Sequence, residues 1–254
     1  MRYFIYFAYD GSAYHGWQIQ PNGISVQEVF TESIRVILRE KTVITAAGRT
    51  DAGVHAKRMV AHFDAERTDL NSEEFVRQLN SILPEDIAVQ KIVPVKEDAH
   101  ARFDALTRKY EYRIYYGKNV FKDKFAVRMY HSLGFEQMNV AAQKLLEYKD
   151  FTSFSKLHTD TKTNHCKVTQ AFWQSCGDEW VFTIEADRFL RNMVRAIVGT
   201  LFEVGMGKMS VNDFCRIIEA KDRCQAGVSV PPHGLYLVDV SYPEEIFALS
   251  PFEY

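Results

Sequence analysis

Gly48-Arg49-Thr50-Asp51-Ala52-Gly53-Val54-His55-Ala56 lies between two apolar runs, Thr42-Val43-Ile44-Thr45 before it and Met59-Val60-Ala61-His62-Phe63 after it. The first run is β-branched and the second alternates, so the stretch reads as a loop between two strands. Gly48 and Gly53 bracket one carboxylate. Both permit backbone angles that a Cβ disfavours, and both let a bulky partner approach the main chain around Asp51. Spacing alone favours a turn in which Asp51 accepts backbone hydrogen bonds. Arg49 pulls the other way, because a neighbouring cation keeps a partly buried carboxylate ionised and available for chemistry.

Working outward, Arg2 to Tyr9 alternates and is rich in aromatic residues, as a strand with two unlike faces would be. Ser25-Val26-Gln27-Glu28 has the spacing of a capping box, and Val26, Val29, Phe30, Ile34, Ile37 and Leu38 follow at helical spacing. Beyond the loop, a helix is expected from Ser72 to about Leu83, burying Phe75, Val76, Leu79 and Ile82 before Pro84. A strand follows from Asp86 to Val95, and the first half closes near Leu106. Thr107 to Tyr116 is a long strand pattern with Tyr110, Tyr112, Ile114 and Tyr116 on one face. Then come a helix from Glu136 to Glu147 and an antiparallel pair, Cys166 to Cys176 and Glu179 to Ala186, joined through Gly177. A helix from about Phe189 to Val204, a short one capped by Ser210, and a strand from Gly234 to Val240 complete the order. This predicts an α+β protein of two halves, 1–106 and 107–245, with a tail over 246–254. Each half is a mostly antiparallel sheet with flanking helices, and an active-site cleft is expected between them.

The four cysteines, Cys166, Cys176, Cys215 and Cys224, have neither C-x-x-C spacing nor flanking histidine pairs, so reduced thiols are expected and no metal. Met1-Arg2-Tyr3-Phe4-Ile5 runs directly into a strand pattern without the layout of a signal peptide, and no apolar run is long enough to span a bilayer. The cytoplasm is the expected location. Net charge is −2, which is unhelpful to a protein that neutralises phosphates. Locally the balance reverses: between Ala101 and Arg128 stand Arg102, Arg108, Lys109, Arg113, Lys118, Lys122, Lys124 and Arg128 against Asp104, Glu111 and Asp123. A solvated mixed surface is the bland reading of that cluster.

The loop stretch resembles the catalytic-loop motif of the tRNA pseudouridine synthases of the TruA type. Further blocks resemble that family in the same order: Tyr9-Asp10-Gly11 with Tyr14-His15-Gly16-Trp17-Gln18, His100-Ala101-Arg102-Phe103 followed by Arg108-Lys109-Tyr110-Glu111-Tyr112, Met193-Val194-Arg195-Ala196-Ile197-Val198-Gly199, and Gly234-Leu235-Tyr236-Leu237. The resemblance implies an isomerase that converts uridine to pseudouridine, breaking the bond from ribose C1′ to N1 and remaking it to C5. It implies Asp51 as the initiating carboxylate, by attack on C1′, addition to the uracil ring or abstraction of a sugar proton. It implies Arg195 as the active-site arginine, a residue type that grips a carboxylate through two parallel hydrogen bonds. Tyr110 is implied against the target base, where stacking suits a phenol better than proton abstraction at neutral pH.

Extruding the target nucleotide from its stack takes a few kcal/mol, which pocket contacts offset. Arg49 fits the point of insertion, displacing the base or holding its phosphate, and Leu235 falls in the last matching block. Arg102, Arg108 and Lys109 are expected to contact RNA. The resemblance also implies a homodimer acting on the anticodon stem-loop of tRNA, at tRNA positions 38, 39 and 40, without cofactor. The chain carries no phosphate loop or nucleotide fingerprint. Lys162 stands where many members carry arginine, and Arg188 where a small residue is frequent. His55 reads as a satisfied loop histidine. Two other classes compete: a tRNA-binding protein without turnover, and a hydrolase using His55, His62 and Asp64 as metal ligands. Two ligands on one strand without a third partner make a thin metal site.

Overall fold

The structure is a computed structural model that describes residues 1–156 and 163–247. The chain divides into two compact units, Met1–Leu106 with Leu237 onward, and Thr107–Tyr236.

In the first unit the elements are β1 (Arg2–Tyr9), α1 (Val26–Leu38), β2 (Thr45–Ala46), β3 (His55–Asp64), α2 (Glu73–Ile82) and β4 (Ile87–Val95). Strands β4, β1 and β3 lie side by side and antiparallel, with Ile5 opposite both Ala61 and Ile92. α1 covers this sheet through Phe30, whose ring stacks on Phe7 at 4.4 Å. Ser25 caps α1 by accepting the Glu28 N–H, which is the serine half of the expected box. Ser72 caps α2 in the same way through Phe75.

Two expectations need correction here. The run from Thr42 to Thr45 is not a strand along its length, since only Thr45 and Ala46 pair with β3. The Ile44 carbonyl is taken instead by the Gln27 side chain of α1 at 2.9 Å. In α2, Phe75 and Leu79 are buried, but Ile82 is 43% exposed and Leu83, just past the helix end, takes its place in the core. The chain turns extended at Leu83, so the helical register no longer sets which side chain faces inward.

The second unit contains β5 (Thr107–Tyr116), β6 (Val127–Met129), α3 (Phe135–Lys144), β7 (Val168–Cys176), β8 (Glu179–Ala186), α4 (Met193–Gly205) and α5 (Val211–Ala220). Its strands run β5, β8, β7, all antiparallel, and β6 adds to β5 in parallel. Gly177 adopts φ +65° in the turn between β7 and β8, a conformation that favours glycine. Trp173 is buried, and Trp180 is half-buried with its ring stacked flat on Phe135. Ser210 and Asp213 form a complete capping box at α5. α4 starts at Met193 rather than near Phe189, because Asn192 at φ +66° leaves the helical region. On β5, Tyr112 and Ile114 are buried as the alternation requires, while Tyr116 is 39% exposed. Tyr115, expected on the outer face, is also buried, and its hydroxyl bonds to Asp123.

A last strand, β9 (Leu235–Ser241), leaves the second unit, and from Leu237 the chain belongs to the first, beside β3. The Leu106 N–H donates to Ser241 O at 2.9 Å, the Lys96 N–H to Ile246 O at 2.9 Å, and the Tyr242 hydroxyl to Ala101 O at 2.6 Å. The second unit therefore ends at Tyr236, and residues up to Phe247 that the sequence assigned to the second half and the tail pack on the first; 248–254 lie outside the described residues. Cys166 is buried and its thiol is pushed up to about 12 by burial, which leaves it a poor nucleophile. Among the described residues no helix is long and apolar enough to cross a membrane.

Candidate active site

The Asp51 loop joins β2 to β3 in the first unit, and its main chain is held by the segment that follows β1. Thr50 O accepts the Trp17 N–H at 3.2 Å, and the Gly53 N–H donates to Tyr14 O at 3.3 Å. Within the loop the Val54 N–H returns to Asp51 O at 3.1 Å, closing the turn that Gly53 allows at φ +76°. Gly48 is different from what its sequence position implied: its φ is not in the left-handed region, and a Cβ there would meet nothing. Besides Gly53, the loop depends on Gly11 and Gly16. A Cβ on Gly11 would collide with Val54 O, and one on Gly16, at φ +86°, with Thr50 O. Tyr14 is fixed in turn by its hydroxyl, which donates to Asp86 at 2.6 Å; burial first, then that carboxylate, raises its phenol far above the ordinary range.

The loop holds Asp51 half-buried, Arg49 exposed and Thr50 buried. Thr50 Oγ1 and the Tyr9 hydroxyl are hydrogen-bonded at 2.8 Å within the core. His55 is 2% exposed, and its Nδ1 lies 3.1 Å from the Gly11 N–H and 3.0 Å from Asp10 Oδ1. One ring nitrogen cannot both accept and donate. The Gly11 N–H is fixed as a donor by the backbone, and Asp10 Oδ1 already accepts from Ser12 N at 2.9 Å and Ser12 Oγ at 2.6 Å, so Nδ1 is the acceptor. His55 thus holds the loop to the segment after β1. His62 and Asp64 are likewise engaged: His62 Nδ1 accepts the Ala101 N–H, and Asp64 takes two bonds from Arg2, each at 2.8 Å. Among the described residues no three His, Cys, Asp or Glu side chains are placed to hold a metal ion.

In the second unit Tyr110 sits half-buried on β5 opposite Ile184, with Phe189 packed edge-on to its ring at 5.0 Å. Arg195 lies in the first turn of α4. Its Nε donates to Val230 O at 2.7 Å, while the Val230 N–H donates to Arg195 O at 3.2 Å. The segment that makes this clamp is tied down closely: Gly227 N donates to Thr200 Oγ1 at 2.9 Å, and Arg223 and Asn192 both reach Ser229 Oγ. The glycine of the Met193–Gly199 block serves this packing, because a Cβ on Gly199 would strike Val228 O. Beneath Arg195, buried Tyr112 donates its hydroxyl to Pro231 O at 3.0 Å; burial raises its phenol strongly, and the Arg195 charge works against that. Leu235 is buried at the start of β9, next to Gly234, which packs against Tyr112.

The basic residues differ in how they are held. Lys109 pairs with Glu185 across the β5–β8 ladder at 2.8 Å, and an Arg108 Nη donates to Asp187 O at 2.7 Å. Arg102 is exposed with its guanidinium over the Phe103 ring. Arg188 is half-buried near Cys166, and Lys162 lies outside the described residues. Sequence reading gave no role to Tyr9, Tyr14 or Gly16. They stood in a recognisable block, but that the block wraps the Asp51 loop is a tertiary fact with no local signal.

The chain is an α+β protein whose first unit presents a carboxylate from a clamped loop, and whose second unit carries a phenol on a strand and a guanidinium on a helix. A family model described as tRNA pseudouridine synthase matches residues 5–104 and 141–243, and the chain belongs to that family. Its relatives include the tRNA pseudouridine synthase A of Bacteroides fragilis, 58% identical over 97% of this chain and 98% of the relative. That of Parabacteroides distasonis is 56% identical over 98% and 99%, and that of Shewanella amazonensis 40% identical over 96% and 94%.

Proposed function

We infer that this chain is a tRNA pseudouridine synthase, an isomerase that detaches uracil from ribose C1′ at N1 and rejoins it at C5. The reaction breaks one C–N bond, forms one C–C bond and exchanges the C5 proton, so atoms balance without an oxidant or an energy source. The observation that carries this reading is the Asp51 loop, whose Thr50, Gly53 and Val54 backbones are all pinned in a chain of the matching family. Asp51 is assigned as the carboxylate that starts the reaction, by attack on C1′, addition to the ring or removal of a sugar proton. Tyr110 is assigned to stacking on the base and Arg195 to the site's guanidinium, with Leu235 alongside the base and Arg49 at the point where it is extruded.

The family resemblance extends the reading to the anticodon stem-loop, at tRNA positions 38, 39 and 40, to a homodimer, and to the cytoplasm. Arg102, Arg108 and Lys109 are assigned to the RNA backbone, which proteins recognise in tRNA more by form and phosphate than by base edges. The test is release of tritium from tRNA made with uridine labelled at C5. The purified chain is expected to release label and to form pseudouridine in equal amounts. Retention of all label with no pseudouridine in the arm contradicts the reading and favours a tRNA-binding protein without turnover.

A further inference from the structure

We propose that Tyr9 and Thr50 are a positioning pair, whose buried hydrogen bond sets the direction in which the loop presents Asp51. The proposal rests on the reading of Asp51 as the initiating carboxylate. The main-chain bonds at Thr50 O, Asp51 O and Gly53 N fix where the loop lies, and the Thr50 side chain adds a tie into the core on the residue before Asp51. Thr50 is the residue before Asp51, and its side chain is 8% exposed. Its Oγ1 meets the Tyr9 hydroxyl, itself on a residue 4% exposed, at 2.8 Å. A hydrogen bond so far from water holds its geometry better than a surface one.

The sheet is built to deliver that hydroxyl. The β1–β3 register shifts between Phe7 and Tyr9, where Lys57 and Arg58 of β3 face the single Ala8 of β1, and pairing resumes at Tyr9 opposite Ala56, just where the chain leaves the loop. Bulges of this kind re-aim a side chain next to a functional site. Without it, Tyr9 would face Lys57, and the loop would meet β1 one residue out of step. Neither residue has chemistry of its own to offer: threonine is no base, and a buried phenol at the root of a loop is a poor one. Their contribution acts through Asp51, where a misplacement of a fraction of an ångström lowers the rate far more than it lowers stability.

The experiment uses the full chain with Tyr9→Phe, Thr50→Val and the double variant, reading the single-turnover rate on unmodified tRNA, the Kd for that tRNA, and Tm. Each single variant is expected to lower the rate about tenfold, with Kd within about twofold, because only one hydroxyl of one bond is lost. The double variant is expected to be no slower than either single one, since both break the same bond. Thr50→Ser, which keeps the hydroxyl, is expected to retain most of the rate. Should Thr50→Val fail to fold, Tyr9→Phe and Thr50→Ser carry the test alone. Wild-type rates in the single variants, or effects that multiply in the double, overturn the pair. Asp51→Asn run in parallel separates the two ideas: inactive Asp51→Asn beside fully active Tyr9→Phe removes the pair alone, whereas active Asp51→Asn removes the Asp51 reading and the pair with it.

Discussion

The Nδ1 of His62, on β3, accepts the backbone N–H of Ala101 at 3.1 Å, with the His100 ring 4.5 Å away and both rings in the first unit. This fixes the proton state of His62, because a protonated Nδ1 has no lone pair for Ala101. Burial, reinforced by His100 and Arg2 and opposed by Asp64 and Asp104, lowers its pKa from 6.5 to about 4. His100 is lowered too, by burial first.

The sign of the pH dependence follows. Between about pH 6.5 and about pH 4 the unfolded chain binds a proton at His62 that the folded chain refuses, so stability present above that window is lost as pH falls through it. The loss amounts to a few kcal/mol for this ring. Thermal unfolding at about pH 7.5 and about pH 5 is expected to show a Tm lower by several degrees at the acid value, and His62→Gln is expected to flatten the difference. An unchanged difference in His62→Gln contradicts this.

Gly199→Ala reverses the usual effect of such a change. Inside a solvent-facing helix alanine is more stable than glycine by about 1 kcal/mol. Here the added methyl would run into the Val228 carbonyl, so an overpacking penalty of about 1–3 kcal/mol is expected instead. The same displacement moves Val230, whose carbonyl holds Arg195, and activity should fall with stability. Denaturant unfolding checks the sign, and a gain in midpoint would refute the packing account.

Much of the architecture was legible because its signals are local. Ser25 and Ser210 each cap a helix as expected, the helix expected from Ser72 begins just after it, and the β7–β8 hairpin turns at Gly177. What was misread depends on partners distant in sequence. Thr42–Thr45 has strand residues, yet Gln27 claims the Ile44 carbonyl. Ile82 has a core residue's character and lies at the exposed end of α2, and nothing near Leu237 signals a return to the first unit. The stretch around Asp51 was readable as a loop entering β3. The Tyr9–Thr50 bond was not, since it joins residues far apart in sequence at a shift in the β1–β3 register that no residue type announces.

The basic residues separate by how firmly the protein already holds them. Arg102→Gln is expected to reduce the slope of log Kd for tRNA against log salt by nearly one, the signature of one lost phosphate contact. Lys109→Gln should change it less, because its ammonium is already neutralised by Glu185 at 2.8 Å. Filter binding across a salt series measures both; equal slopes for the two variants would contradict this ranking.

The most direct measurement is the pseudouridine yield of Asp51→Asn in a single turnover with excess enzyme and unmodified tRNA, alongside its Kd for that tRNA. Asparagine keeps the shape of the side chain and removes the charge. The account predicts no detectable pseudouridine with Kd within about threefold of wild type, since only the reacting group has changed. Pseudouridine formed at a rate near that of wild type would contradict it.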